Sequence, residues 1–140
     1  MARQVYVAGP LFDEGERWFM EAMDARLARA GASTFLPHRD NPSKTPDTVS
    51  AIYRNNLDAI EWADLVVANL NGVTTDDGTA WEIGYAVAQG TPVIGLFTDW
   101  RRRFDDEVVN LMIAESVDVI VRSLDELEAE VRARIDDDTP

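Results

Sequence analysis

Glu82 sits within the stretch Asp76 to Ala86, DDGTAWEIGYA, where small residues open a helix. The run before it, Leu65-Val66-Val67-Ala68-Asn69, is short, apolar and rich in β-branched residues, so it reads as a buried strand that ends at the Asn71-Gly72 turn. Strand, polar loop and helix make a βα unit, and in open parallel sheets ligands sit outside the carboxyl ends of the strands. The loop is therefore the expected wall of a pocket. Gly78 lets the backbone pass close to a ligand, and Thr79 is a small residue suited to cap the helix. Glu82 then falls in the first helical turn, where the helix dipole favours its ionised form. An ionised carboxylate facing a pocket attacks an electrophilic carbon or stabilises a cation. The alternative from the same spacing is a capping box, in which Glu82 only completes a pair with Thr79 three residues earlier.

The elements that must place this carboxylate alternate along the chain. Strands are expected at Gln4 to Ala8, Ser33 to Leu36, Leu65 to Asn69, Pro92 to Phe97 and Asp118 to Val121. Between them Phe19, Met23, Leu27 and Ala30 keep helical spacing, with Gly31 as a stop. Further helices are expected over Ile52 to Ala63, from the Glu82 turn to Gly90, over Asp105 to Glu115, and from Leu124 to Ile135 behind a Ser123 cap. This repeat implies an α/β fold: a single doubly wound, flavodoxin/Rossmann-like, five-stranded parallel sheet of order 2-1-3-4-5. One domain covers residues 1–135, and the acidic tail 136–140 reads as disordered. The long loop Pro37 to Thr48 holds three prolines, the only histidine and the only lysine, and is placed to fold over the pocket as a partial lid. His38 in that loop is assigned no role.

Composition narrows the partners. A chain of 140 residues buries about two-thirds of its unfolded surface as one domain. No apolar run reaches the length of a membrane span and no signal peptide is visible at Met1-Ala2-Arg3, so a cytoplasmic place is expected. The absence of cysteine removes disulfides and thiolate metal sites. With one histidine and no recognisable aspartate spacing, no metal is expected; without a GxGxxG or Walker loop, no nucleotide cofactor is expected either. A formal net charge of -13 disfavours nucleic acid and anionic membranes. Only one of the 13 basic residues is lysine, and an acidic, arginine-biased surface fits adaptation to high salt, where screening removes self-repulsion.

Three segments taken together, QVYVAGPLF (Gln4 to Phe12), DDGTAWEIGYA, and Asn110-Leu111-Met112, resemble the nucleoside 2-deoxyribosyltransferase family in order and spacing, from about Tyr6 to Val121. The resemblance implies a catalytic set. Glu82 would be the nucleophile that takes the deoxyribosyl group as an ester before a second base accepts it, the two-step logic of a retaining glycosidase. Tyr6 would orient that carboxylate, and Asp76 would hold the base and assist its proton transfer, with Asp77 able to substitute. Gly9, Pro10 and Phe12 would shape the first loop, with Gly78 at the second. Asn110 and Met112 match a segment that reaches in from a neighbouring subunit, which implies a homo-oligomer, a dimer or higher, with a shared site. The implied partners are a small-molecule deoxynucleoside and a nucleobase, and no cofactor.

One position departs from the family pattern. Where the family carries an aspartate on the second helix in contact with the base, this chain has Asn56, within YRNNLDAI. Asparagine donates and accepts hydrogen bonds but cannot shuttle a proton as a carboxylic acid does. Two other readings stay open: a hydrolase of 2'-deoxynucleoside 5'-monophosphates, as in a related family, and a non-catalytic nucleoside or nucleotide sensor on the same fold. The first loop, GPLFDEGE, carries acids and no serine, which argues against a phosphate there.

Overall fold

Five short parallel strands form one sheet of order β2-β1-β3-β4-β5 in the computed structural model, which describes residues 3–138. The strands are β1 (Gln4–Ala8), β2 (Ser33–Phe35), β3 (Leu65–Asn69), β4 (Val93–Leu96) and β5 (Val119–Val121). The helices are α1 (Glu14–Arg29), α2 (Pro37–Asp40), α3 (Val49–Trp62), α4 (Asp77–Ala88), α5 (Leu111–Ser116) and α6 (Leu124–Asp137). The expected α/β class and strand order are thus those of the protein. The order reverses between β1 and β3, so the carboxyl ends of these two strands flank the natural crevice of the sheet.

The two-residue period of each strand divides the core into two layers. On β1, Tyr6 and Ala8 pack with Ala59 and Ile60 of α3 and Ile83 of α4, while Val5 and Val7 pack with Met20, Met23 and Leu27 of α1 and Leu127 of α6. The central strand β3 is buried on both faces, as a parallel strand between two helical layers must be. Helix α1 begins at a capping box in which Asp13 accepts from the Glu16 amide at 2.7 Å and Glu16 accepts from the Asp13 amide at 3.2 Å. The acids of the first loop therefore have a local structural task.

The sequence expectation needs correction in four places. The helix expected over Asp105 to Glu115 is only α5, Leu111–Ser116, because Phe104 and Glu107 form an isolated antiparallel bridge and Asn110 caps the helix by accepting from the Met112 amide at 2.9 Å. The long loop contains the short helix α2, held by Arg39, whose guanidinium donates to Asp24 at 2.8 Å and to the Thr34 carbonyl at 2.9 Å. Helix α6 continues through Asp136 and Asp137, which sequence reading placed in the tail; Thr139 and Pro140 lie outside the described residues. The cap of α4 is Asp76 and not Thr79.

Candidate active site

That last correction moves Glu82 from the first to the second turn of α4 and changes its chemistry. Asp76 Oδ2 accepts from the Thr79 amide at 2.9 Å and from the Thr79 hydroxyl at 2.8 Å, so the capping task is already filled. Glu82 does not close a capping box with Thr79. Its Oε2 instead accepts a hydrogen bond from the Tyr6 hydroxyl, which arrives from the fully buried side chain on β1. The Tyr6 ring stacks on Phe35 with centroids 5.7 Å apart and planes 11° from parallel, which fixes the hydroxyl on its target.

The dipole argument for a readily ionised Glu82 gives way to burial. Loss of water raises the Glu82 carboxyl from 4.5 to about 7; the Tyr6 hydrogen bond opposes that rise and the nearby Asp76 charge adds to it. Near neutrality the carboxyl is divided between acid and anion. The Tyr6 hydroxyl is pushed the other way from reactivity, far above its usual range, by burial first and by the Glu82 charge second. Tyr6 thus remains a proton donor at any accessible pH.

The carboxyl opens on a cleft of about 660 Å³ lined by the first loop, the lid segment, α3 and the start of α4. Among the residues named from sequence, the cleft brings together Gly9, Phe12, Asn56, Asp76, Gly78 and Glu82. Phe12 is exposed at its rim, which makes it a wall and not core. Gly9 is demanded by packing: a Cβ there would lie 2.4 Å from Met20 Sδ and 2.9 Å from Asn69 Cβ. Gly9→Ala is expected to destabilise the protein by about 1–3 kcal/mol, as forced overpacking does; an unchanged denaturation midpoint would contradict this.

Four named residues lie elsewhere. Pro10 is buried beside the cleft and is not among its lining residues, and Asp77 is exposed, with its carboxylate accepting from the Gly78 amide at 2.8 Å. Asn110 and Met112 line a separate hollow of about 540 Å³ between α4 and α5. Within one chain they do not join Glu82.

The cleft also contains residues that sequence reading left unassigned. Tyr53, Leu57 and Ile60 of α3 follow helical spacing with Asn56 and all face the cleft, so the one-face pattern was the available signal. Trp81 adds an aromatic wall, stacked on Tyr85 at 5.3 Å and met edge-on by Tyr53 at 6.0 Å. From the lid come Pro37, His38, Asn41, Ser43 and Lys44. His38 Nε2 is 3.0 Å from Glu21, a contact that anchors the lid to α1. Among the described residues, no group of three or more His, Asp or Glu side chains is arranged to hold a metal ion, and no helix is long and apolar enough to cross a membrane.

Solved structures share this architecture. A conserved protein from Enterococcus faecalis V583 is 25% identical, with a TM-score of 0.81 over 96% of this chain and 99% of that one. A 2-deoxyribosyltransferase from Bacillus psychrosaccharolyticus is 24% identical, with a TM-score of 0.78 over 91% and 94%. A CMP N-glycosidase from Clostridium botulinum is 24% identical, with a TM-score of 0.60 over 93% and 98%. No curated protein sequence matches the chain. The sequence model of nucleoside 2-deoxyribosyltransferases, by contrast, matches residues 5–113, a span that runs from β1 through Glu82 to α5. A match over that much of the chain, on a sheet of the same kind, places this protein in the nucleoside 2-deoxyribosyltransferase family.

Proposed function

We propose that the protein transfers a 2-deoxyribosyl group between nucleobases through an ester on Glu82. The observation that supports this most directly is the Tyr6 hydrogen bond to Glu82 Oε2 at the edge of the cleft. With Oε2 held, Oε1 is the oxygen free to attack C1'. As that bond forms, the N-glycosidic bond breaks and its electron pair stays with the base nitrogen, which is protonated from water while Asp76 holds the base and assists the transfer. An incoming base then attacks C1', the Glu82 carboxylate leaves, and the N–H proton of that base passes to water, again with Asp76 assisting. Both Asp76 bonds to Thr79 fall on Oδ2, so Oδ1 is the oxygen assigned to the base. Phe12 and Trp81 supply apolar faces for the base, and a deoxy sugar suits the route because it lacks the hydroxyl that would destabilise the cationic transition state.

The test is product analysis after incubation with deoxyinosine and adenine in high salt. New deoxyadenosine that is lost in Glu82→Ala is the expected result; a folded enzyme that forms none across several bases would overturn the reading. Hydrolysis of deoxynucleoside 5'-monophosphates is the second reading. It is favoured by Ser43 and Lys44 on the lid, the latter the chain's only lysine, both of which line the cleft. Free base released from monophosphates without exchange would select it.

Completion of the site by a neighbouring copy belongs to the same proposal. Leu111 and Met112 are exposed beside Asn110, on a segment that does not reach Glu82 in its own chain. Asn110→Ala is expected to lower activity and also to weaken α5 by about 1 kcal/mol through loss of its cap. Mixing separates the two effects: Asn110→Ala and Glu82→Ala subunits together should recover part of the activity. No recovery after demonstrated subunit exchange would exclude a shared site.

A further inference from the structure

Three amides form a chain between the lid and α3. Asn55 Nδ2 donates to Asn41 Oδ1 at 3.1 Å, and Asn41 Nδ2 donates to Asn56 Oδ1 at 2.8 Å. A carboxamide has one accepting and one donating end. With its oxygen turned to Asn55, Asn41 presents its nitrogen to Asn56, and the oxygen of Asn56 is thereby turned toward Asn41. The end of Asn56 left for a ligand is its NH2 group. Asn56 and Asn41 both line the Glu82 cleft.

From this geometry we infer that Asn56, with Asn41 as its positioning residue, makes the cleft selective for nucleobases that carry an oxo group on the edge remote from the sugar. The inference rests on the reading that the cleft holds a nucleobase with C1' at Glu82. In that pose the base spans from α4 to α3, and the edge that reaches α3 carries O6 or N6 in a purine and O4 or N4 in a pyrimidine. An oxo oxygen accepts from Asn56. An exocyclic amine would instead bring N–H against N–H and leave both donors without a partner, a mismatch that sites built on a polar contact reject strongly. A carboxylate at this position would have the opposite preference, since it accepts only.

The test compares kcat/KM for deoxyinosine and deoxyadenosine with a common acceptor base. The wild-type enzyme should prefer deoxyinosine by at least about tenfold, within the range that one unpaired buried donor costs. Asn56→Asp should reverse the preference. Asn41→Asp should shift it the same way, because a carboxylate there accepts from Asn56 Nδ2 and turns the Asn56 oxygen to the cleft. A purely structural effect of either variant would lower both values together and leave their ratio unchanged. Equal use of the two donors by the wild type, a preference for deoxyadenosine, or unchanged ratios in folded variants would overturn the inference. If no deoxynucleoside is turned over, the proposed activity fails, and titration calorimetry with free hypoxanthine and free adenine decides the inference alone. Tighter hypoxanthine binding that reverses in Asn56→Asp supports it; equal affinity, or no binding of either base, refutes it.

Discussion

Replacing Glu82 by alanine is expected to lower the proposed deoxyribosyl transfer by about 10⁴-fold or more, the scale on which removal of a nucleophile acts. The loss is chemical before it is structural. Alanine cannot form the ester, and among the described residues no other carboxylate is both held by Tyr6 and open to the cleft. The substitution also leaves the buried Tyr6 hydroxyl without its acceptor, at a cost of about 1–3 kcal/mol. Circular dichroism and a denaturation midpoint are therefore measured beside turnover, so that loss of fold is not mistaken for loss of chemistry. Glu82→Gln provides the matched control, since its amide oxygen still accepts from Tyr6 while the nucleophile is gone. Both variants should be inactive, and at pH 4, where the Glu82 carboxyl of the native state is protonated, only the alanine should be destabilised. Activity within tenfold of wild type in either one would remove Glu82 as nucleophile.

The sheet was legible in the sequence because its strands carry their own signal. Leu65 to Asn69 is apolar throughout, as a strand covered on both faces must be, and the alternation with helical segments leaves few topologies. The position of Glu82 was less legible. DDGT offers three residues able to cap a helix, and spacing alone does not say which carboxylate reaches the third amide. Asp76 does, and that choice moves Glu82 one turn onward, away from the dipole and toward Tyr6. The contact between Tyr6 and Glu82 joins residues 76 apart, and only the family resemblance linked them in advance.

The cleft wall shows a second limit. Helix α2 is short and held by Arg39 contacts to Asp24 and Thr34, which come from other elements, so no local propensity announces it. At α5 the opposite error arises. Val108, Val109, Leu111 and Met112 suit one helical face, yet a bridge between Phe104 and Glu107 and a cap at Asn110 delay the helix. Trp81 was in plain view beside Glu82, but an aromatic residue in a helix shows a binding role only once its neighbours Tyr53 and Tyr85 are placed.

Glu82→Gln should stabilise the protein in alkaline solution and leave it nearly unchanged in acid. In the folded protein the carboxyl is raised to about 7, above the 4.5 of an ordinary glutamate, chiefly by burial. Between those values the native state holds a proton that the unfolded state has released, so stability falls as pH rises through the window. Above about pH 7 the full penalty applies, about 3 kcal/mol at 1.36 kcal/mol per unit of pKa. Glutamine keeps the hydrogen bond from Tyr6 and has no charge to desolvate, so it escapes the penalty. The difference in unfolding free energy between Glu82→Gln and wild type should be near zero at pH 4 and approach about 3 kcal/mol by pH 8.5. Taking the difference cancels the titration of the remaining carboxylates, which matters in a chain with a net charge of -13. Under the proposed mechanism the same ionisation acts on catalysis with the opposite sign: kcat/KM should fall about tenfold per pH unit below about 7, because only the anion would attack. Conditions that would activate Glu82 as a nucleophile thus weaken the fold that holds it. A stability difference independent of pH, together with an acidic limb near pH 4.5, would show that Glu82 titrates as an exposed carboxylate and would remove burial as the source of its reactivity.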